Sequence, residues 1–184
     1  MTTPAPRVVV LRGPASSGKS TVSAAVVAAL RARGVRAVYL EQDFFRNTAA
    51  GGGEGAREVA RDMLVASARA AHAAGFCVIM EGILNQVYHV AALTQLGLQL
   101  PLVFVYLDVR LEETKIRHEG RHKSTEFDAC KLDEWWQAAS PMGVPDEVVV
   151  CGSSALQDTV DTVVQLFLAP ASAAAAAEDA ARNA

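Results

Sequence analysis

Residues 13–21 carry a full set of phosphate-binding groups: Gly13-Pro14-Ala15-Ser16-Ser17-Gly18-Lys19-Ser20-Thr21. The run from Gly13 to Ser20 fits G-x-x-x-x-G-K-S, a P-loop or Walker A motif. Gly13 and Gly18 let the backbone turn and approach a ligand with no Cβ in the way. Successive N–H groups then converge on phosphate oxygens, and the helix that follows adds about half a positive charge at its N-terminus. Lys19 brings an ammonium to the terminal phosphates, the Ser20 hydroxyl suits Mg²⁺, and Thr21 can bond an inner phosphate.

That chemistry needs a strand before the loop and a helix after it. Arg7-Val8-Val9-Val10-Leu11-Arg12 is the short apolar run of a buried strand, and the alanine- and valine-rich stretch from Gly18 to Arg33 is helical and stops at Gly34. Further strands are expected over 35–40, 76–80, 102–107 and 147–150, and the unbroken apolar run at 76–80 is that of a central parallel strand. Helices are expected over 54–74, 86–96, 111–120, 128–139 and 155–168. In the first of these, Val59, Met63, Leu64 and Ala71 are expected on the buried face. A loop without fixed structure, a possible hinge, is expected around Asn47 and Gly51-Gly52-Gly53.

Strands alternating with helices predict an α/β three-layer sandwich over a five-stranded, mostly parallel sheet. Ligands of such sheets bind beyond the carboxyl ends of the strands. The loop, Asp43, Glu81 and Asp108 all fall there.

The length of 184 residues suits one domain. Residues 1–168 are expected to form it, with 169–184 an alanine-rich, disordered tail. A net charge of −3 gives no reason to expect nucleic acid or a membrane surface as partner, and no apolar run is long enough to span a bilayer. Cys77, Cys130 and Cys151 show no C-x-x-C pairing, which suits reduced thiols. The N-terminus runs straight into the first strand without room for a signal peptide, so a cytoplasmic protein is expected.

The order Leu11-Arg12-Gly13-Pro14 and Ser17-Gly18-Lys19-Ser20, then Glu41-Gln42-Asp43-Phe44-Phe45-Arg46, then Val78-Ile79-Met80-Glu81-Gly82, then Tyr106-Leu107-Asp108-Val109 with Glu112-Glu113-Thr114 and Arg117-His118, resembles the small P-loop kinases. These are the nucleoside-monophosphate-kinase-like enzymes, and the zeta-toxin-like kinases among them are the nearest in pattern. Residues 127–136, ending Glu134-Trp135-Trp136, look like the same group, and the likeness covers about residues 7–168. It implies the strand order 2-3-1-4-5, ATP and Mg²⁺ as cofactors, and phosphoryl transfer to a small-molecule acceptor. It also implies a lid over about 117–127, in which Arg117 or Arg121 neutralises charge on the transferring phosphoryl. Gly152-Ser153-Ser154 falls where related kinases pass over adenine.

Asp43 is where such kinases hold the acceptor; its carboxylate can orient a hydroxyl and take its proton. Arg46 can grip an anionic acceptor. Glu81 ends an apolar strand as a Walker B acid does, and can meet Mg²⁺ through water or bond the acceptor. Glu41 can hold a Mg²⁺-bound water. Asp108 is read as the cap of the helix that begins near Arg110. His118-Glu119-Gly120-Arg121-His122 matches H-E-x-x-H, but Gly120 and the charged surroundings argue against a zinc site. His72 and His89 are read as structural or solvated. The alternative to a kinase is a P-loop NTPase that hydrolyses nucleotide as a switch or as an accessory protein, without a phosphoryl acceptor. The D-x-x-G and N-K-x-D signatures of a GTPase do not occur, and a AAA+ motor would need a longer chain with a helical lid domain.

Overall fold

The computed structural model describes residues 5–53, 55–119, 132–133, 136, 140–144 and 146–169. Five strands form one sheet: β1 (Val8–Arg12), β2 (Ala37–Glu41), β3 (Cys77–Gly82), β4 (Leu102–Asp108) and β5 (Val148–Cys151). The helices are α1 (Lys19–Ala32), α2 (Ala56–Ala73), α3 (Gln86–Gly97), α4 (Leu111–Glu119) and α5 (Leu156–Leu168). The strand order is β2-β3-β1-β4-β5 and every pairing is parallel, as the resemblance implied. Such a sheet must be covered on both faces, and β1 shows how. Val9 and Leu11 point into a core built with Val26 and Leu30 of α1 and Val163 and Phe167 of α5. Val8 and Val10 point the other way, onto Leu64 and Ala68 of α2 and Leu93 and Leu96 of α3. Each such buried valine or leucine is worth about 1.5–3 kcal/mol.

Three expectations need correcting. The buried face of α2 is Ala56, Ala60, Leu64 and Ala68, while Val59 and Met63 are 53% and 38% exposed. The helix lies close to the sheet, so small residues take the inner stripe. Phe44–Ala49 is a π-helical turn rather than loop, closed by Ala50 N donating to the Phe45 carbonyl at 2.8 Å. Helix α4 starts at Leu111, which leaves Arg110, not Asp108, at its cap position. The helix expected over 128–139 falls mostly outside the described residues, although Leu132, Asp133 and Trp136 are helical. Trp136 Nε1 donates to the Val109 carbonyl at 2.8 Å, and Lys115 pairs with Asp133 at 2.8 Å. Of the expected tail, 169–184, all but Ala169 lies outside the described residues.

Arg12, the last residue of β1, is wholly buried. Its Nε and Nη2 donate to the Leu84 carbonyl at 3.3 and 3.2 Å, and its Nη1 lies 3.5 Å from Glu147 Oε1. Glu147 in turn accepts from the backbone N–H groups of Met142 and Gly143 at 2.9 and 3.0 Å. Burial pulls the Arg12 guanidinium below its ordinary pKa and the Glu147 charge partly restores it. The pair ties the segment before β5 to the centre of the sheet. Arg12→Met would leave Glu147 buried and unmatched, at an expected cost of about 3–5 kcal/mol. Urea unfolding of the variant checks this, and Glu147→Leu added to it is expected to recover part of the loss.

Candidate active site

The phosphate loop leaves β1 at Gly13. A Cβ there would meet the Leu107 carbonyl oxygen and Ser17 Oγ, each at 2.9 Å, so only glycine fits. Ser17 N donates to the Pro14 carbonyl at 3.2 Å and closes the turn. Gly18, in the left-handed region at φ 98°, then opens α1. The Lys19 side chain folds back over the loop, and its Nζ donates to the Pro14 carbonyl at 2.7 Å and to Ser17 Oγ at 3.4 Å. It is only 8% exposed, an ammonium already poised at the loop.

Glu81 is the next-to-last residue of β3 and is level with Leu11 of β1 and Glu41 of β2. It is buried, and its Oε1 accepts from Ser20 Oγ at 2.8 Å and from the Tyr39 hydroxyl at 2.8 Å. Two residues 61 positions apart, both assigned to Mg²⁺ from sequence, are therefore in direct contact. Burial first, then the Glu81 charge, raise the Tyr39 phenol well above its ordinary pKa, so it stays a donor. The Ser20 hydroxyl, the Glu81 carboxylate and the nearby Glu41 make a set of hard oxygen donors, the kind Mg²⁺ takes with several of its own waters, so these residues fit that ion.

On the far side of the loop a cleft of about 220 Å³ opens among Ser17, Thr21, Val109, Arg117, Gly152 and Thr159. Gly152 lies against β4, where its N–H donates to the Asp108 carbonyl at 2.8 Å and a Cβ would meet that same oxygen at 2.6 Å. Arg117 stands in the last turn of α4. Its Nη1 donates to the Ser17 carbonyl at 2.9 Å, its Nη2 to the Gly152 carbonyl at 2.7 Å, and its Nε to Glu113 at 2.9 Å. It braces the phosphate loop against the loop after β5. Arg117→Met is expected to weaken nucleotide binding about tenfold, as the loss of a charged hydrogen bond would. A turnover number close to wild type at saturating nucleotide would mark it as a binding brace.

Asp43 and Arg46 meet each other at the start of the π turn, with Oδ1 and Nη2 3.3 Å apart and both side chains substantially exposed. They stand at the same carboxyl edge of the sheet as Glu81, one strand further from the phosphate loop. Beside them Gln42 joins three elements. It accepts from Leu84 N at 3.2 Å and contacts His89 Nε2 at 3.3 Å, while His89 Nδ1 bonds the Asn85 carbonyl at 3.0 Å. A carbonyl only accepts, so Nδ1 carries the proton and Gln42 donates to Nε2. Burial, with the charges of Arg61, Arg12 and Arg57, lowers the His89 pKa and keeps the ring neutral. His89 is thus a structural histidine. Arg121, residues 120–127 of the expected lid, and His122 lie outside the described residues; residues 117–119 belong to α4. No cluster of metal-binding type with three or more His, Cys, Asp or Glu is found among the described residues.

Tyr39, Gln42 and Arg12 were not singled out for a role from sequence. Tyr39 carried a signal, since it lies two residues before Glu41 and so shares its face of β2. Arg12 carried another, as a charge that ends an apolar strand.

A family model described as an AAA domain matches residues 8–156. The chain belongs to that AAA-domain family. Among the described residues α5 is the element that follows β5. Solved structures with this fold include an APS kinase of Mycobacterium tuberculosis in complex with AMPPNP and APS, at TM-score 0.72 and 19% identity over 90% of this chain and 99% of that one. A sugar kinase from Janibacter sp. follows at TM-score 0.66 and 20% identity, over 89% and 94% of the two chains. A gluconokinase from Sinorhizobium meliloti has TM-score 0.64 and 19% identity, over 88% and 91%. The fold of this AAA-domain member is thus one that small-molecule kinases use. No curated protein matches the chain. No described helix is long and apolar enough to cross a membrane.

Proposed function

We propose that the protein is an ATP- and Mg²⁺-dependent kinase that transfers the γ-phosphoryl group to a hydroxyl or phosphate of a small molecule. One observation carries the reading: the phosphate loop stands between two different surroundings. Toward β4 and β5 lies a cleft of about 220 Å³ with few charges, suited to a nucleoside. Toward β3 and β2 lie Glu81, Asp43 and Arg46. A donor on one side and an acceptor on the other place the transferring group over Lys19, and such transfer is chiefly positioning and charge neutralisation.

In this reading residues 13–21 hold the phosphates, with Lys19 on the terminal ones. Ser20 and Glu81 hold the cation, which when bound neutralises charge between the outer phosphates. Asp43 orients the acceptor and takes its proton, and Arg46 grips an anionic group on it. Arg117 braces the loop, which leaves Arg121 as the arginine of the pair assigned to the transferring phosphoryl. Free Cys77 and Cys151 suit a cytoplasmic setting.

The test is ADP release from Mg²⁺-ATP across nucleosides, nucleoside monophosphates, nucleotide sugars, simple sugars and hydroxylated antibiotics. Release that depends on an acceptor supports the kinase and names its substrate class. Release indifferent to every acceptor favours a nucleotide-hydrolysing switch.

A further inference from the structure

We infer that Tyr39 is a positioning residue, which locks the Glu81 carboxylate so that Ser20 presents its hydroxyl lone pairs to a cation at the phosphate loop. The inference rests on the reading of this loop as a cation-assisted nucleotide site. Tyr39 sits in β2 level with Ile79, two residues short of Glu81 along the neighbouring strand. That offset is about 6.6 Å of strand rise, which the long phenol side chain spans to bring its hydroxyl within 2.8 Å of Glu81 Oε1. Its ring packs against the core shared with α1, a place that phenylalanine would fill as well. The hydroxyl is therefore explained by its bond and not by packing.

The same carboxylate oxygen takes the Ser20 hydroxyl at 2.8 Å. A hydroxyl has one hydrogen and two lone pairs. With the hydrogen committed to Glu81, both lone pairs are left for a hard cation. That commitment holds only while Glu81 stays in place, and of its two bonding partners Tyr39 is the one that belongs to the sheet. A partner one step behind a metal ligand commonly controls affinity by ten- to a hundredfold.

The experiment titrates Mn²⁺ against the protein with AMPPNP, reading free Mn²⁺ by electron paramagnetic resonance. A parallel calorimetric titration measures AMPPNP alone in EDTA. Tyr39→Phe is expected to weaken Mn²⁺ binding about tenfold while the metal-free AMPPNP affinity stays at the wild-type value. In a Glu81→Gln background the same change is expected to cost clearly less, because Tyr39 acts chiefly through Glu81 and keeps only its side-chain contact with Ser20 there. Wild-type Mn²⁺ affinity in Tyr39→Phe, or a loss of equal size in both backgrounds, overturns the inference and leaves the kinase reading standing. A wild-type protein that binds neither Mn²⁺ nor AMPPNP defeats both.

Discussion

Lys19→Ala is expected to lower acceptor-dependent ADP release about 100- to 1,000-fold, the usual effect of removing one preorganised charge-stabilising group. The ammonium is held at the loop by the Pro14 carbonyl and Ser17 Oγ before any phosphate arrives, so little reorganisation is required when one does. Alanine removes the charge but leaves the loop's own bonds: Ser17 N to the Pro14 carbonyl, Val22 N to the Gly18 carbonyl, and Arg117 to the Ser17 carbonyl. The fold should therefore survive, with circular dichroism and thermal unfolding close to wild type. Folded protein with unchanged turnover would remove the P-loop from the mechanism. A residual rate well above the uncatalysed one is expected, since the loop N–H groups and the α1 terminus still face the phosphates.

What was legible in the sequence was whatever depends on near neighbours. The path from β1 through residues 13–18 into α1 is local, and its glycines, lysine and hydroxyls declare it. The central strands declare themselves as apolar runs, 77–80 above all, because a parallel sheet is covered on both faces. Contacts between distant segments were legible only as residue types. Glu81 and Ser20 were both assigned to Mg²⁺, yet nothing in either segment says that they share a hydrogen bond, or that Tyr39 completes it. The α2 face was misread because large side chains were weighted over alanine. Close approach to the sheet rewards Ala60 and Ala68 and leaves Val59 outside. The π turn at Phe44–Ala49 escaped because bonds such as Ala50 N to the Phe45 carbonyl follow from packing, with Phe45 buried and Phe44 not, rather than from a residue pattern.

Asp43→Asn is expected to slow phosphoryl transfer about 100- to 10,000-fold, the range for loss of a general base, with AMPPNP affinity unchanged. Asparagine keeps the shape and one acceptor oxygen but cannot take a proton. Asp43 lies beyond the end of β2, with β3 between it and the phosphate loop, so the nucleotide side should not feel the change. Nor should stability, since the Asp43–Arg46 pair is exposed at 3.3 Å and such pairs are worth about 0–1 kcal/mol. The pairing suggests how the base is released. An acceptor with a phosphate or carboxylate competes for the Arg46 fork and frees the Asp43 carboxylate to face the acceptor hydroxyl. Arg46→Met should then raise KM for anionic acceptors and leave neutral ones little affected. Single-turnover transfer and calorimetric nucleotide binding, measured side by side on Asp43→Asn, decide the assignment. Losses of equal size in both would take Asp43 off the acceptor side, whereas transfer lost with binding intact would make it the base.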